Sequence, residues 1–150
     1  MPITLGFHPY FNVPDSSRAQ SFIRIPARKH IEADKSLLAS GETTANTLPA
    51  RISLRDHTLD DGFTDLVRDG EGHATFSFEA GSRKIQVIYG RQYQVGLVFA
   101  PPGKDFVCFE PMTAITNALN LAHEGKYNDL KSVPPNGAWS ESFWIRYEGF

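Results

Sequence analysis

A single cysteine, Cys108, is all that the 150-residue chain contains. An internal disulfide framework is therefore excluded, and a reducing compartment, the cytoplasm, is the expected location. No apolar run approaches the roughly 18 residues of a membrane-spanning helix. Met1-Pro2-Ile3-Thr4 also lacks the basic start of a signal peptide, so neither a membrane protein nor an exported one is expected. Charge of one sign is missing too: 15 Lys and Arg against 17 Asp and Glu leave a net charge of −2. Without a basic excess there is no electrostatic footprint for nucleic acid or an anionic membrane surface. Phosphate-cradling glycine loops, serine nucleophile elbows, repeats and low-complexity tracts are absent as well. What remains, 41% hydrophobic and 21% charged, suits one globular domain over residues 1–150 with a sizeable core.

Strand signals dominate the chain. Ser21 to Pro26, Ala74 to Glu79 and Lys84 to Tyr89 alternate apolar and polar residues between turn formers, the pattern of half-buried antiparallel strands. Gly81 lies between the last two, where a hairpin needs positive φ. Tyr93 to Ala100, Phe106 to Glu110 and Phe143 to Tyr147 carry the aromatic and β-branched enrichment of sheet interiors. Helical turns are expected only over Ala118 to Glu124 and Lys35 to Ala39, and the polar stretch Ser40 to Ala50 reads as a long loop. The fold class is all-β, a large sandwich of antiparallel sheets.

Two short segments about a hundred residues apart carry the chemistry: Leu5-Gly6-Phe7-His8-Pro9-Tyr10-Phe11 and Val107-Cys108-Phe109-Glu110-Pro111-Met112-Thr113. Each sets one proton-transferring side chain among apolar and aromatic neighbours, so an imidazole and a carboxylate are expected to face one another across a sugar-sized cleft. Unperturbed, a histidine titrates near 6.5 and a glutamate near 4.3, which separates their roles around neutrality. Strand alternation puts Phe106, Cys108 and Glu110 on one face and Val107 and Phe109 on the other. A carboxylate on an apolar face has its pKa raised and becomes a better base. The competing readings are a solvated strand-end glutamate and a hydrogen-bonded core histidine.

These segments, together with Leu59-Asp60-Asp61-Gly62-Phe63, Asn117-Ala118-Leu119-Asn120 and Val133-Pro134-Pro135 leading to Trp139, resemble the aldose 1-epimerases, or galactose mutarotases. The resemblance implies a large twisted antiparallel β-sandwich, the mutarotase-like supersandwich. It also implies interconversion of the α and β anomers of a free hexose without a cofactor, within carbohydrate metabolism. By motif position His8 would protonate the ring oxygen and Glu110 would take the proton of the anomeric hydroxyl. Asp60 would bind sugar hydroxyls, with Asp61 as the rival for that role and a turn residue as the plainer reading. Tyr10, Phe63 and Trp139 would offer apolar surface to the sugar or serve as ordinary core, and Asn117 would reach a hydroxyl.

The resemblance covers only the C-terminal half of the family pattern. The other half supplies an arginine and a second histidine to the sugar site. Ile115 also departs from the proline common at its position. Self-association, or a complementary N-terminal half, is accordingly the expected partner besides a small aldose. A noncatalytic carbohydrate-binding module derived from a mutarotase is the alternative function. No metal site is expected: His30, Glu32 and Asp34 recur at period two, but same-face neighbours on a strand are nearly 7 Å apart, so they read as a solvated face. Cys108 reads as a small buried residue.

Overall fold

The structure, a computed structural model, describes residues 1–13 and 16–150. In chain order the strands begin with β1 (Pro2–Ile3), β2 (Tyr10–Asn12), β3 (Ser21–Arg24), β4 (Ala27–Ala33) and β5 (Ala39–Ala45). They continue with β6 (Ile52–Ser53), β7 (Leu59–Leu66), β8 (Ala74–Ala80), β9 (Arg83–Tyr89) and β10 (Val95–Ala100). After β11 (Phe106–Met112) come the short helix α1 (Ala118–His123), β12 (Lys131–Ser132) and β13 (Phe143–Glu148).

Two antiparallel sheets form the body, a six-stranded one in the order β2-β11-β10-β7-β4-β5 and a five-stranded one in the order β13-β9-β8-β3-β6. The small β1–β12 pair stands beside them. The hairpin expected at Gly81 is present: β8 and β9 pair from Ala74↔Tyr89 to Ala80↔Arg83, and Gly81 takes φ +61. The inner faces of the two sheets meet in one cluster that includes Phe63, Val98 and Phe109 from the larger sheet and Phe76, Phe78 and Val87 from the smaller. The Phe76 and Phe109 rings touch across the gap, with centroids 5.7 Å apart. β11, buried along most of its length, reads almost continuously apolar.

Two sequence expectations are corrected. Lys35 to Ala39 does not form a helical turn but joins β4 to β5. The Asp34 carboxylate accepts the Ser36 and Leu38 N–H groups at 2.7 and 3.1 Å, and Leu37 adopts φ +60. A side chain that satisfies the backbone locally competes successfully with a helix too short to nucleate. Ser40 to Ala50 is not a long loop, because Ala39–Ala45 is the edge strand β5. Its polar composition reflects exposure of most of its side chains rather than absence of pairing.

Gly96 on β10 shows how tightly the layers meet. A Cβ added there would fall inside contact distance of the Phe76 ring, which itself is fully buried. Gly96→Ala is expected to lower stability by about 1–3 kcal/mol through overpacking. Urea unfolding checks this, and an unchanged midpoint would show that the Phe76 ring can yield.

Candidate active site

The site is built on the outer face of the six-stranded sheet. Register places Asp60, Phe99, Cys108 and Tyr10 side by side across β7, β10, β11 and β2, with Gly62, Leu97 and Glu110 forming the next row. Residues directly opposite in antiparallel strands project from the same face, so these two rows share one surface. The two aspartates differ in their relation to this surface. Asp60 lies on it, whereas Asp61 turns to the opposite side and pairs with His30, Oδ1 to Nε2, at 2.8 Å. Asp60 is a strand residue, not a turn former.

His8 arrives from the segment between β1 and β2, which is fastened to the end of β11. Leu5 N–H donates to Thr113 Oγ1 at 2.9 Å, and Thr113 N–H donates to the Leu5 carbonyl at 2.9 Å. Phe7 N–H donates to the Pro111 carbonyl at 3.2 Å, and Gly6 forms a bridge with Met112. Pro9 restricts His8 to extended backbone, which carries the chain onward into β2. The imidazole then stacks on Tyr10 at 4.9 Å and meets the edge of Phe99 at 6.4 Å.

His8 Nε2 and Glu110 Oε1 lie 3.0 Å apart, with the histidine side chain 51% exposed and the glutamate 8%. The contact is close enough for an ion pair but is not aligned as a hydrogen bond, and Oε1 receives none from the described residues. Burial pushes the Glu110 carboxyl from 4.5 up to about 7; the nearby His8 opposes the rise and the Asp60 charge adds to it. Asp60 is itself raised, first by burial and then by Asp61. Burial drives the Cys108 thiol up to about 12, with Glu110 contributing. Tyr10 is 61% exposed beside this group.

The expected arrangement of one group on either side of a sugar ring is corrected. At 3.0 Å no ring fits between the two, so they present a joint acid–base edge. A desolvated carboxylate and an imidazole attract one another. Phe63 is corrected as well. It is fully buried on the inner face, in edge contact with His30 at 5.6 Å, and cannot touch a ligand. Trp139 packs on the core against Tyr93 at 6.2 Å.

Asn117 is not brought to the pair. It caps α1 at φ 62, its amide donates to the Ala39 carbonyl at 3.4 Å, and its Oδ1 accepts from Asn120 at 2.7 Å. It lines a cavity of about 330 Å³ with Leu5, Gly6 and Met112. A smaller hollow of about 40 Å³, lined in part by Asp60, Gly62, Leu97 and Met112, lies along the rows that carry Glu110. Of the period-two acidic stretch, Glu32 accepts from Thr44 at 2.7 Å and His30 sits 3.5 Å from Glu32. Sequence reasoning missed the role of Thr113 and the His30–Asp61 pair; each depends on a partner more than 30 residues away.

Solved structures share this architecture. A galactose mutarotase-like protein from Clostridium acetobutylicum superimposes with a TM-score of 0.83 over 100% of this chain and 48% of its own, at 23% identity. This chain has the galactose mutarotase-like fold. A galactose mutarotase related enzyme from Lactobacillus acidophilus gives 0.72 over 99% and 53% of the two chains, at 17% identity. A protein from Synechocystis sp. PCC 6803 gives 0.64 over 99% and 45%, at 26% identity. The chain thus spans about half the length of these solved structures. No protein-family model matches it.

Burial of Glu110 has a consequence for stability. Its folded-state pKa lies above the unfolded one, so its contribution is complete below about 4.5 and is lost as pH rises through about 7. His8 opposes this from the loop; Asp60 on β7 reinforces it, and Cys108, Tyr10 and Tyr89 feel the same charge. Glu110→Gln, which stays neutral, is expected to be more stable than the parent at pH 8 by on the order of 1–3 kcal/mol. The gap should close toward pH 4.5. Thermal melts across that range check it, and a pH-independent gap would contradict the buried-charge account.

Proposed function

We propose that residues 1–150 are one mutarotase-like β-sandwich unit that carries the acid–base pair of an aldose 1-epimerase acting on a free hexose. The observation that carries this reading is the His8–Glu110 contact on a face shared with Asp60. Ring opening needs a proton delivered to the ring oxygen and another removed from the anomeric hydroxyl, and both oxygens hang on the same carbon. Two adjacent groups can therefore serve both without enclosing the sugar. His8 donates its Nε2 proton to the ring oxygen as the bond from that oxygen to C1 breaks. Glu110 accepts the hydroxyl proton as the carbonyl forms.

Rotation about C1–C2 presents the other carbonyl face. Reclosure returns the proton from Glu110 to the new hydroxyl and the ring-oxygen proton to His8, so no cofactor is consumed. Asp60 accepts hydrogen bonds from neighbouring hydroxyls, and Tyr10 lays its ring along the apolar C–H side of the sugar. The cytoplasm is the compartment in this reading, and no helix among the described residues is long and apolar enough to cross a membrane.

Anomer exchange of glucose and galactose, followed by polarimetry or saturation-transfer NMR, tests the proposal. His8→Asn and Glu110→Gln are each expected to slow exchange by about 10²–10⁴-fold. Unchanged rates in both variants would reject the assignment. Saturable hexose binding with no catalysed exchange in the parent chain would instead mark a sugar-binding module.

A second copy of the chain is the proposed partner. Ile145 and Tyr147 on the edge strand β13 are in register with the buried Val87 and Ile85, yet they are 49% and 73% exposed. An uncovered apolar edge with unpaired backbone groups invites association. Light scattering is expected to show concentration-dependent dimers that Ile145→Lys reduces. A monomer at every concentration would overturn this, and so would an association indifferent to the substitution.

A further inference from the structure

Cys108 is the one nucleophilic group at the site that the proton relay leaves unused. It stands two residues before Glu110 on β11, so its sulfur emerges on the same face as the carboxylate. His8, Cys108 and Glu110 each offer a donor atom, and these atoms all lie within 4.8 Å of one another. Imidazole nitrogen, thiolate sulfur and carboxylate oxygen are the three donor types that zinc takes. Tetrahedral bonds of about 2.0–2.3 Å set such donors roughly 3.3–3.8 Å apart, so closure around an ion requires the widest pair to move by about 1 Å.

An independent observation points to a ligand. The Glu110 side chain is only 8% exposed, and its Oε1 has no hydrogen-bond donor among the described residues. A buried carboxylate oxygen without a donor is costly, and a cation answers it more completely than an imidazole held off its hydrogen-bonding direction. Asp60 adds negative charge nearby.

We propose that His8, Cys108 and Glu110 form a three-ligand zinc site whose occupancy blocks the acid–base pair. The sulfur and nitrogen donors favour zinc over magnesium or calcium. The thiol proton passes to solvent as the zinc–sulfur bond forms, with no change of oxidation state, and the fourth position is left to water. Inhibition rests on the function proposed above, but binding of the ion does not.

The reduced chain would be titrated with zinc chloride by calorimetry and with cobalt chloride by absorption. One ion per chain is expected, with a sulfur-to-cobalt charge-transfer band. Cys108→Ser should abolish the band and weaken zinc at least about tenfold, and His8→Gln, an exposed change that spares the core, should weaken it comparably. Circular dichroism reports whether each variant is folded. Absence of stoichiometric binding to the folded chain would overturn the site. Persistence of the band in Cys108→Ser, or zinc binding indifferent to His8→Gln, would do the same by showing an adventitious ion elsewhere. If the chain exchanges anomers, zinc should stop the exchange and a chelator restore it; exchange that continues at saturating zinc would overturn the blocking role alone. If the chain shows no exchange, the titrations still decide the site.

Discussion

The site depends on one carboxylate being taken out of water beside one imidazole. Glu110 is held on β11, one strand in from the sheet edge, between the buried Phe109 and Pro111, so its side chain has little solvent to turn to. Removing a carboxylate from water raises its proton affinity, and His8 lies 3.0 Å from it with an exposed ring. A glutamate on the surface would stay ionised and inert. The fold therefore keeps a locally unfavourable group because the sheet around it is favourable.

The sheet alone does not make the pair. β11 contributes Glu110, but the imidazole comes from an irregular segment that would otherwise be free to move. Hydrogen bonds among Leu5, Phe7, Pro111 and Thr113 fasten that segment to the end of the same strand, so both side chains are referred to one rigid element. Placement on a strand and on a loop clamped to it gives the closeness that proton transfer needs. Asp60 joins from β7 through β10, two strands away, purely by cross-strand register.

Much of the fold was legible in the residues. Period-two alternation marked β3, β8 and β9, aromatic and β-branched runs marked β10, β11 and β13, and Gly81 marked a hairpin. The misreadings have separate causes. β5 looked like a loop because a strand exposed over most of its length has no apolar face to betray it, and Asp34 made a turn where a helix had been expected. At the site, the structure brings His8, Glu110 and Asp60, named by their motifs, onto one surface. Phe63 misled because an aromatic on a strand reads the same whether it points inward or outward.

The amino-acid sequence by itself determined the strand-rich class and named His8 and Glu110 as the candidate proton-carrying side chains. Only the tertiary structure decided which of the two aspartates shares a face with Glu110, that His8 touches that carboxylate instead of opposing it across a sugar, and that Phe63 is core. The physical reason is that alternation along a strand is a local property of the backbone. The choice of which face meets the other sheet, and which distant segment lies against it, is set by packing and register among strands far apart in the chain.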